Sequence, residues 1–247
     1  MDISTQLLDA ARRLSRGLSK LEFPLPITHV YNPHTYAWAP YEEYVRRFGA
    51  TRKRVVLLGM NPGPFGMMQT GVPFGEIQAV RDWMKIEARV KAPAHMHAKR
   101  AIEGFDCARS EVSGRRLWGW AAARAANADE FFSEWFVLNY CPLAFLEESG
   151  RNFTPDKLPA AQLRALYALC DQHLAAALAT LAPSWALGVG GFAEKRIRAV
   201  LEGDAIEGAV ARRIQVGQIL HPSPASPAAN RGWVEAVNRQ LAAIGVV

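Results

Sequence analysis

Cysteine is scarce in this chain of 247 residues, with only Cys107, Cys141 and Cys170, widely separated. An odd and scattered set builds neither a disulfide framework nor a zinc or iron-sulfur ligand set, so these thiols are expected to be reduced and structural. Long hydrophobic runs are missing as well. No stretch approaches the roughly 18 uncharged apolar residues of a membrane span, and the N-terminus has no basic segment followed by an apolar one. The expectation is a soluble intracellular protein, cytoplasmic in a bacterium or nuclear in a eukaryote, with no membrane partner. Several chemical motifs are also lacking. There is no Gly-x-x-x-x-Gly-Lys-Ser/Thr, no Gly-x-Gly-x-x-Gly opening a helix and no Gly-x-Ser-x-Gly elbow, which argues against phosphate-cradling nucleotide enzymes and strand-elbow nucleophiles. His95 and His97, with no third ligand nearby, read as surface residues rather than as a metal pair, and neither metal nor other cofactor is expected.

What is present begins with the run from Gly59 to Gly75, which holds five glycines, three prolines and no charge. It directly follows Val55-Val56-Leu57-Leu58, an apolar run of the kind that forms a strand buried on both faces. A loop at a strand's carboxyl end is where open α/β sheets bind ligands. Glycines let the backbone approach a ligand, and prolines stiffen the path. The run contains no Asp, Glu or Lys, so it offers no carboxylate base and no Schiff-base lysine.

Three further apolar runs, Phe136 to Leu138, Trp185 to Val189 and Ile214 to Leu220, alternate with helical patterns. These patterns span Pro155 to Leu181, Phe192 to Leu201 and Asn230 to Ile244, and an amphipathic packing helix is expected over about residues 2 to 20. Such alternation implies an α/β fold with a parallel sheet flanked by helices, in a single domain over residues 1 to 247. Three strands are followed by a polar side chain: Asn61, Asn139 and His221. Each has a proline close behind it, as expected of stiffened loops that hold side chains still. The Trp185 to Val189 run ends instead in Gly190-Gly191, which suits close helix packing.

Charge points to a partner. The net charge is +6, and between Arg81 and Arg124 ten Lys or Arg face five acids, a net +5 in one long connection after the glycine-rich run. That segment is placed to flank a pocket mouth and meet a polyanion. Asn139 offers both a donor and an acceptor, the complement of a pyrimidine edge, and Phe74 offers a stacking face. An extruded base held in this way is the arrangement of enzymes that work on nucleobases.

Six separated segments in order sharpen this reading: Gly59-Met-Asn-Pro-Gly-Pro-Phe-Gly66, Gln69-Thr-Gly-Val-Pro-Phe-Gly75, Ser110-Glu-Val-Ser-Gly114, Asn139 with Cys141-Pro-Leu143, Ser149-Gly-Arg-Asn152 and His221-Pro-Ser-Pro224. Together they resemble the single-strand-selective monofunctional uracil-DNA glycosylases, from about Val30-Tyr-Asn-Pro33 to the last helix. The resemblance implies a three-layer fold on a four-stranded parallel sheet. It also implies an enzyme that hydrolyses the N-glycosidic bond of uracil in single- or double-stranded DNA, and access to DNA suits a monomer. By the same resemblance Asn61 positions water and His221 stabilises the departing base. Asn139 reads the base edge, Phe74 stacks on it, and Met60 and Gly63 wall the pocket, the glycine leaving room for 5-hydroxymethyluracil. Pro222, Ser223, Pro224, Ala225, Ser226, Asn230 and Arg231 fall in the DNA-contacting loop. Here that loop departs from the family pattern, because Ala225 and its neighbours replace an arginine that enters the DNA stack. A xanthine or hypoxanthine preference, or a damage-binding module without turnover, remain as alternatives.

Overall fold

The computed structural model describes residues 1–246. Among the described residues there are seven strands: β1 Ile27–Tyr31, β2 Val55–Gly59, β3 Trp135–Asn139, β4 Ala144–Glu147, β5 Asn152–Phe153, β6 Trp185–Val189 and β7 Gln215–Ile219. The order β3-β2-β6-β7 forms a four-stranded, wholly parallel sheet flanked by helices. Every residue of β2 and β3 is buried, as their apolar β-branched and aromatic composition demands. Each such Val, Leu or Phe contributes about 1.5–3 kcal/mol through burial.

The first helix, Ile3–Leu18, starts one residue after Asp2, whose carboxylate accepts from the Thr5 N–H at 2.9 Å. Its apolar face packs on the long helix Ala160–Leu181. The latter begins later than the leucine pattern suggests. Residues 155–157 form a separate 3-10 turn, and Pro159 holds Leu158 in the extended region, so the helix starts only at Ala160. The closing helix is likewise shorter than expected, Trp233–Ala243. Gly232, at φ 145°, separates it from a short helix, Pro227–Asn230. No described helix is long and apolar enough to cross a membrane.

A second sheet, order β1-β4-β5 and antiparallel, lies outside the sequence reading altogether. Its strands are short, β5 having two residues, and β1 pairs with a strand more than a hundred residues later, so no local periodicity reveals it. The sheet presents β5 to the functional cavity.

Two buried histidines make the fold acid-sensitive. His34 lies against the Tyr41 ring at 4.1 Å with neither ring nitrogen partnered, and burial pushes its pKa down to about 3. Burial likewise pushes His173 down to about 4. Unfolded, each takes a proton near 6.5, so between these values the native state holds fewer protons than the unfolded chain. Stability is therefore complete above about 6.5 and falls as the pH drops, by about 1.4 kcal/mol per unit for each histidine. Denaturant titrations at pH 7 and pH 5 are expected to show this loss. His34→Phe, which keeps the ring stack but cannot titrate, should reduce it by one histidine's share; an unchanged acid slope would remove His34 from the account.

Candidate active site

The pairing of β2 with β3 sets Gly59 beside Asn139 and continues past the strand ends, with Tyr140 N–H donating to Gly59 O and Cys141 N–H to Met60 O, both at 2.9 Å. Two loops are thereby locked together at the carboxyl edge of the sheet. Above them opens a cavity of about 440 Å³ lined by Met60, Asn61, Gly63, Phe74, Asn139 and His221. All the residues expected to hold the base or act on it thus converge. Ser223 and Pro224 join them from the loop after β7. Gly190, at the end of β6, owes its identity to a φ of 90° and to His221, whose Cβ lies 3.2 Å from where a side chain would begin. The close helix approach expected at Gly190-Gly191 occurs at Gly188, where a Cβ would stand 2.2 Å from the Glu194 backbone nitrogen.

Phe74 adopts φ 53°, an outlier for a bulky side chain. Such strain costs of order 1–3 kcal/mol and persists only where the surroundings impose it. Here its carbonyl accepts from Glu76 N–H at 2.7 Å and from Trp118 Nε1–H at 3.0 Å. The same carbonyl fills the space of a side chain at Gly114, 2.1 Å from the would-be Cβ. The backbone that carries the ring is held before any ligand arrives.

Asn139 is poorly satisfied in the cavity. Its Oδ1 is buried with no partner, and its Nδ2 donates only to the Met67 thioether at 3.1 Å. A buried unpaired acceptor costs about 1–3 kcal/mol, and sulfur is a weak acceptor, so the amide is poised for a ligand carrying a donor beside an acceptor. Asn61 donates from Nδ2 to Leu143 O at 3.4 Å, which leaves its Oδ1 to accept. At His221, Nδ1 accepts from Ser223 N–H at 3.1 Å, and burial lowers the ring's pKa. Both facts select the neutral imidazole with its proton on Nε2, a donor held for the cavity. Phe74 and His221 both line the cavity, with 6.2 Å between ring centres.

The cavity also holds residues that chemical reasoning on the sequence did not single out: Glu111, Ser113, Asn152 and Thr154. Glu111 accepts from Phe65 N–H at 3.1 Å, and burial raises its carboxyl pKa. The carboxyl fits against Gly63, where a Cβ would stand 2.6 Å from Oε2. The glycine-rich run has no carboxylate of its own, yet the pocket receives one from the helix-leading loop. Asn152, on β5, also has a buried unpartnered Oδ1. The signal for Glu111, Ser113 and Asn152 was membership of the Ser110–Gly114 and Ser149–Asn152 segments; Thr154 lies outside both.

The loop after β7 is braced internally. Arg116 donates to Pro222 O at 3.1 Å, Ser223 O at 3.3 Å and Asn230 Oδ1 at 2.9 Å, while Asn230 Nδ2 donates to Pro224 O at 2.8 Å. Asn230 thus holds the loop, as does Ser226, whose hydroxyl accepts from Ala229 N–H. Pro222 is buried, whereas Pro224, Ala225 and Arg231 are exposed. The positive segment does reach the site, through Arg116 here and through Arg109, stacked on Phe65 at 3.9 Å. His95 is exposed as expected, but His97 is buried, its Nε2 between the carbonyls of Glu147 and Glu148.

The sequence profile of the Uracil DNA glycosylase superfamily matches residues 46–242, which contain every cavity residue named above. The chain belongs to this superfamily. Within it, the chain is 45% identical over 240 residues to a single-strand selective monofunctional uracil-DNA glycosylase of Rattus norvegicus, covering 97% of this chain and 84% of that one. A relative of the same name from Bos taurus is 44% identical over 235 residues, covering 95% and 84%. In fold, this glycosylase-superfamily chain is similar to wild-type Pedobacter heparinus SMUG2, with a TM-score of 0.69 at 17% identity over 100% of this chain and 98% of that one. That likeness speaks to the fold alone.

Proposed function

We propose that this chain is a monofunctional DNA glycosylase, hydrolysing the N-glycosidic bond of uracil in DNA and leaving the strand unbroken. The observation that carries the reading is the buried Asn139 amide, its Oδ1 unpartnered and its Nδ2 held only by the Met67 sulfur, in one cavity with Phe74. Uracil's imide edge, one N–H next to a carbonyl, pairs with both ends of that amide while the base lies on the ring. The names of the relatives, uracil-DNA glycosylases selective for single strands, support the same substrate.

The chemistry needs no strong base. As the bond between the sugar and N1 lengthens, positive charge grows on the sugar and negative charge on the base. Nε2–H of neutral His221 donates to the departing base, and Asn61 Oδ1 accepts from the water that adds to the sugar carbon. The water's oxygen ends on the sugar, and its proton balances the released base. A glycine-rich run without lysine fits hydrolysis without strand cleavage. The cavity is complete within one chain, which supports action as a monomer. Pro224, Ala225 and Arg231, exposed beside it, are the loop's DNA-facing groups, held by Pro222, Ser223, Ser226 and Asn230.

Incubating uracil-containing single- and double-stranded oligonucleotides with the protein and then cleaving abasic sites with alkali tests the reading. Strand breaks at uracil only after alkali are expected, and no excision from either substrate would overturn it. Met60 and Gly63 extend the reading to 5-hydroxymethyluracil: the space of a side chain at Gly63 is taken by the Glu111 carboxyl, an acceptor for the hydroxyl of the base's substituent. Gly63→Ala is expected to lower kcat/KM for 5-hydroxymethyluracil by about tenfold more than for uracil, the size of a differential of about 1.4 kcal/mol. Equal losses on both bases would place Gly63 away from the ring's substituent.

A further inference from the structure

Beside the base cavity lies a second concavity of about 200 Å³, sharing Pro64 with it and walled by Phe65, Lys99, Arg100 and Arg109. We propose that this groove binds the phosphodiester backbone of the DNA strand next to the excised nucleotide. The inference rests on the glycosylase reading above and adds to it where the strand runs on leaving the cavity.

Three observations carry it. The first is charge without internal use. Among the described residues, Lys99, Arg100 and Arg109 make no ion pair, and Glu103 is the only acid of the groove, which leaves a surplus of two positive charges. The second is how the guanidinium groups are held. Arg109 stands over the Phe65 ring at 3.9 Å with no protein acceptor for its N–H groups among the described residues, whereas Arg100, 5.6 Å from the same ring, donates to Gly150 O and Lys99 O. The free N–H groups of the Arg109 fork can meet phosphate oxygens two at a time.

The third is that the walls are built before a ligand arrives. Gln69, only 2% exposed, donates from Nε2 to Pro64 O at 3.2 Å and Ala101 O at 3.0 Å. Its Oε1 accepts from Glu103 N–H at 2.9 Å and Gly104 N–H at 3.1 Å. One buried amide thus ties the glycine-rich run to the segment carrying Lys99 and Arg100. Arg100 is itself fixed, donating from Nε to Gly150 O at 2.7 Å, while its carbonyl accepts from the Tyr31 hydroxyl at 2.9 Å. On the other rim of the cavity, Ser223 and Pro224 come from a loop whose tip is the small Ala225. A strand held weakly there gains most from a fixed phosphate clamp on this side.

The test measures binding to fluorescent single-stranded oligonucleotides of one length, with an excision-resistant, sugar-fluorinated deoxyuridine near one end, centrally or near the other end. Arg109→Ala is expected to weaken binding severalfold and to reduce the slope of log K against log salt by about 0.7, one phosphate contact on a single strand. The loss should appear with the central deoxyuridine and with it near one end only, since the other end position leaves the groove empty. Arg109→Lys, keeping charge but not the flat fork, should retain the salt slope and lose part of the affinity. Arg52→Ala, an exposed charge before β2 at the opposite edge of the sheet, serves as the control. Native affinity and slope in a folded Arg109→Ala protein would overturn the proposal, as would an equal slope change in Arg52→Ala or a loss indifferent to deoxyuridine position. Failure of the native protein to excise uracil is a separate result, and it would instead strike at the parent reading.

Discussion

Replacing His221 with alanine is expected to slow single-turnover excision of uracil by about 10²–10³-fold, the loss found when one fixed donor to a developing negative charge is removed. The affinity for uracil-containing DNA should change far less, because the donor acts on charge that appears only as the bond breaks. The distinction can be measured: single-turnover rates at saturating protein report the first quantity and fluorescence anisotropy the second. Equal losses in both would make His221 a structural support for the loop after β7.

The pH profile tests the form of the ring as well as its presence. Burial lowers the His221 pKa, and the Ser223 N–H donating to Nδ1 at 3.1 Å favours the neutral tautomer. The proton is therefore gained only below the ordinary 6.5, and no inflection belonging to His221 should appear at or above that value. Below it the ring acquires a proton on Nδ1, which then opposes the Ser223 N–H and loosens the loop. An inflection near neutrality that disappears in His221→Ala would show a cationic imidazole at work instead.

The parallel sheet was legible because β2 and β3 are buried on both faces, so their apolar runs stand out from the surrounding sequence. Asn61, Asn139 and His221 were legible for a related reason, each following an apolar run within three residues. Glu111 and Asn152 were not. They enter the cavity from a loop and from a two-residue strand, and only tertiary packing sets them there. Proline and glycine decided what periodicity misjudged: Pro159 delays one helix, and Gly232 divides another pattern in two. The role of Asn230 shows the same limit. Its position after His221 suggests DNA, whereas its amide is occupied by Arg116 and Pro224 O, a contact no local pattern encodes.

Gly59→Ala is expected to cost about 10²-fold in kcat/KM, the scale of a displacement of about 1 Å in positioning groups. A methyl group there would stand 2.3 Å from Asn139 Oδ1 and 2.5 and 2.7 Å from two carbons of the Phe74 ring. Both groups that hold the base are struck at once, and neither yields easily. Phe74 is pinned through its carbonyl by Trp118 and Glu76, and Asn139 lies in a buried strand. Gly63→Ala is the informative comparison, since its methyl would meet the Glu111 carboxyl at 2.6 Å, the far end of a side chain able to swing. Uracil excision should therefore survive better in Gly63→Ala than in Gly59→Ala. Overpacking at Gly59 also costs about 1–3 kcal/mol of stability, so the protein should remain folded and the deficit should be catalytic. Near-native uracil excision in a folded Gly59→Ala protein would show that Asn139 and Phe74 do not hold the base as a pair.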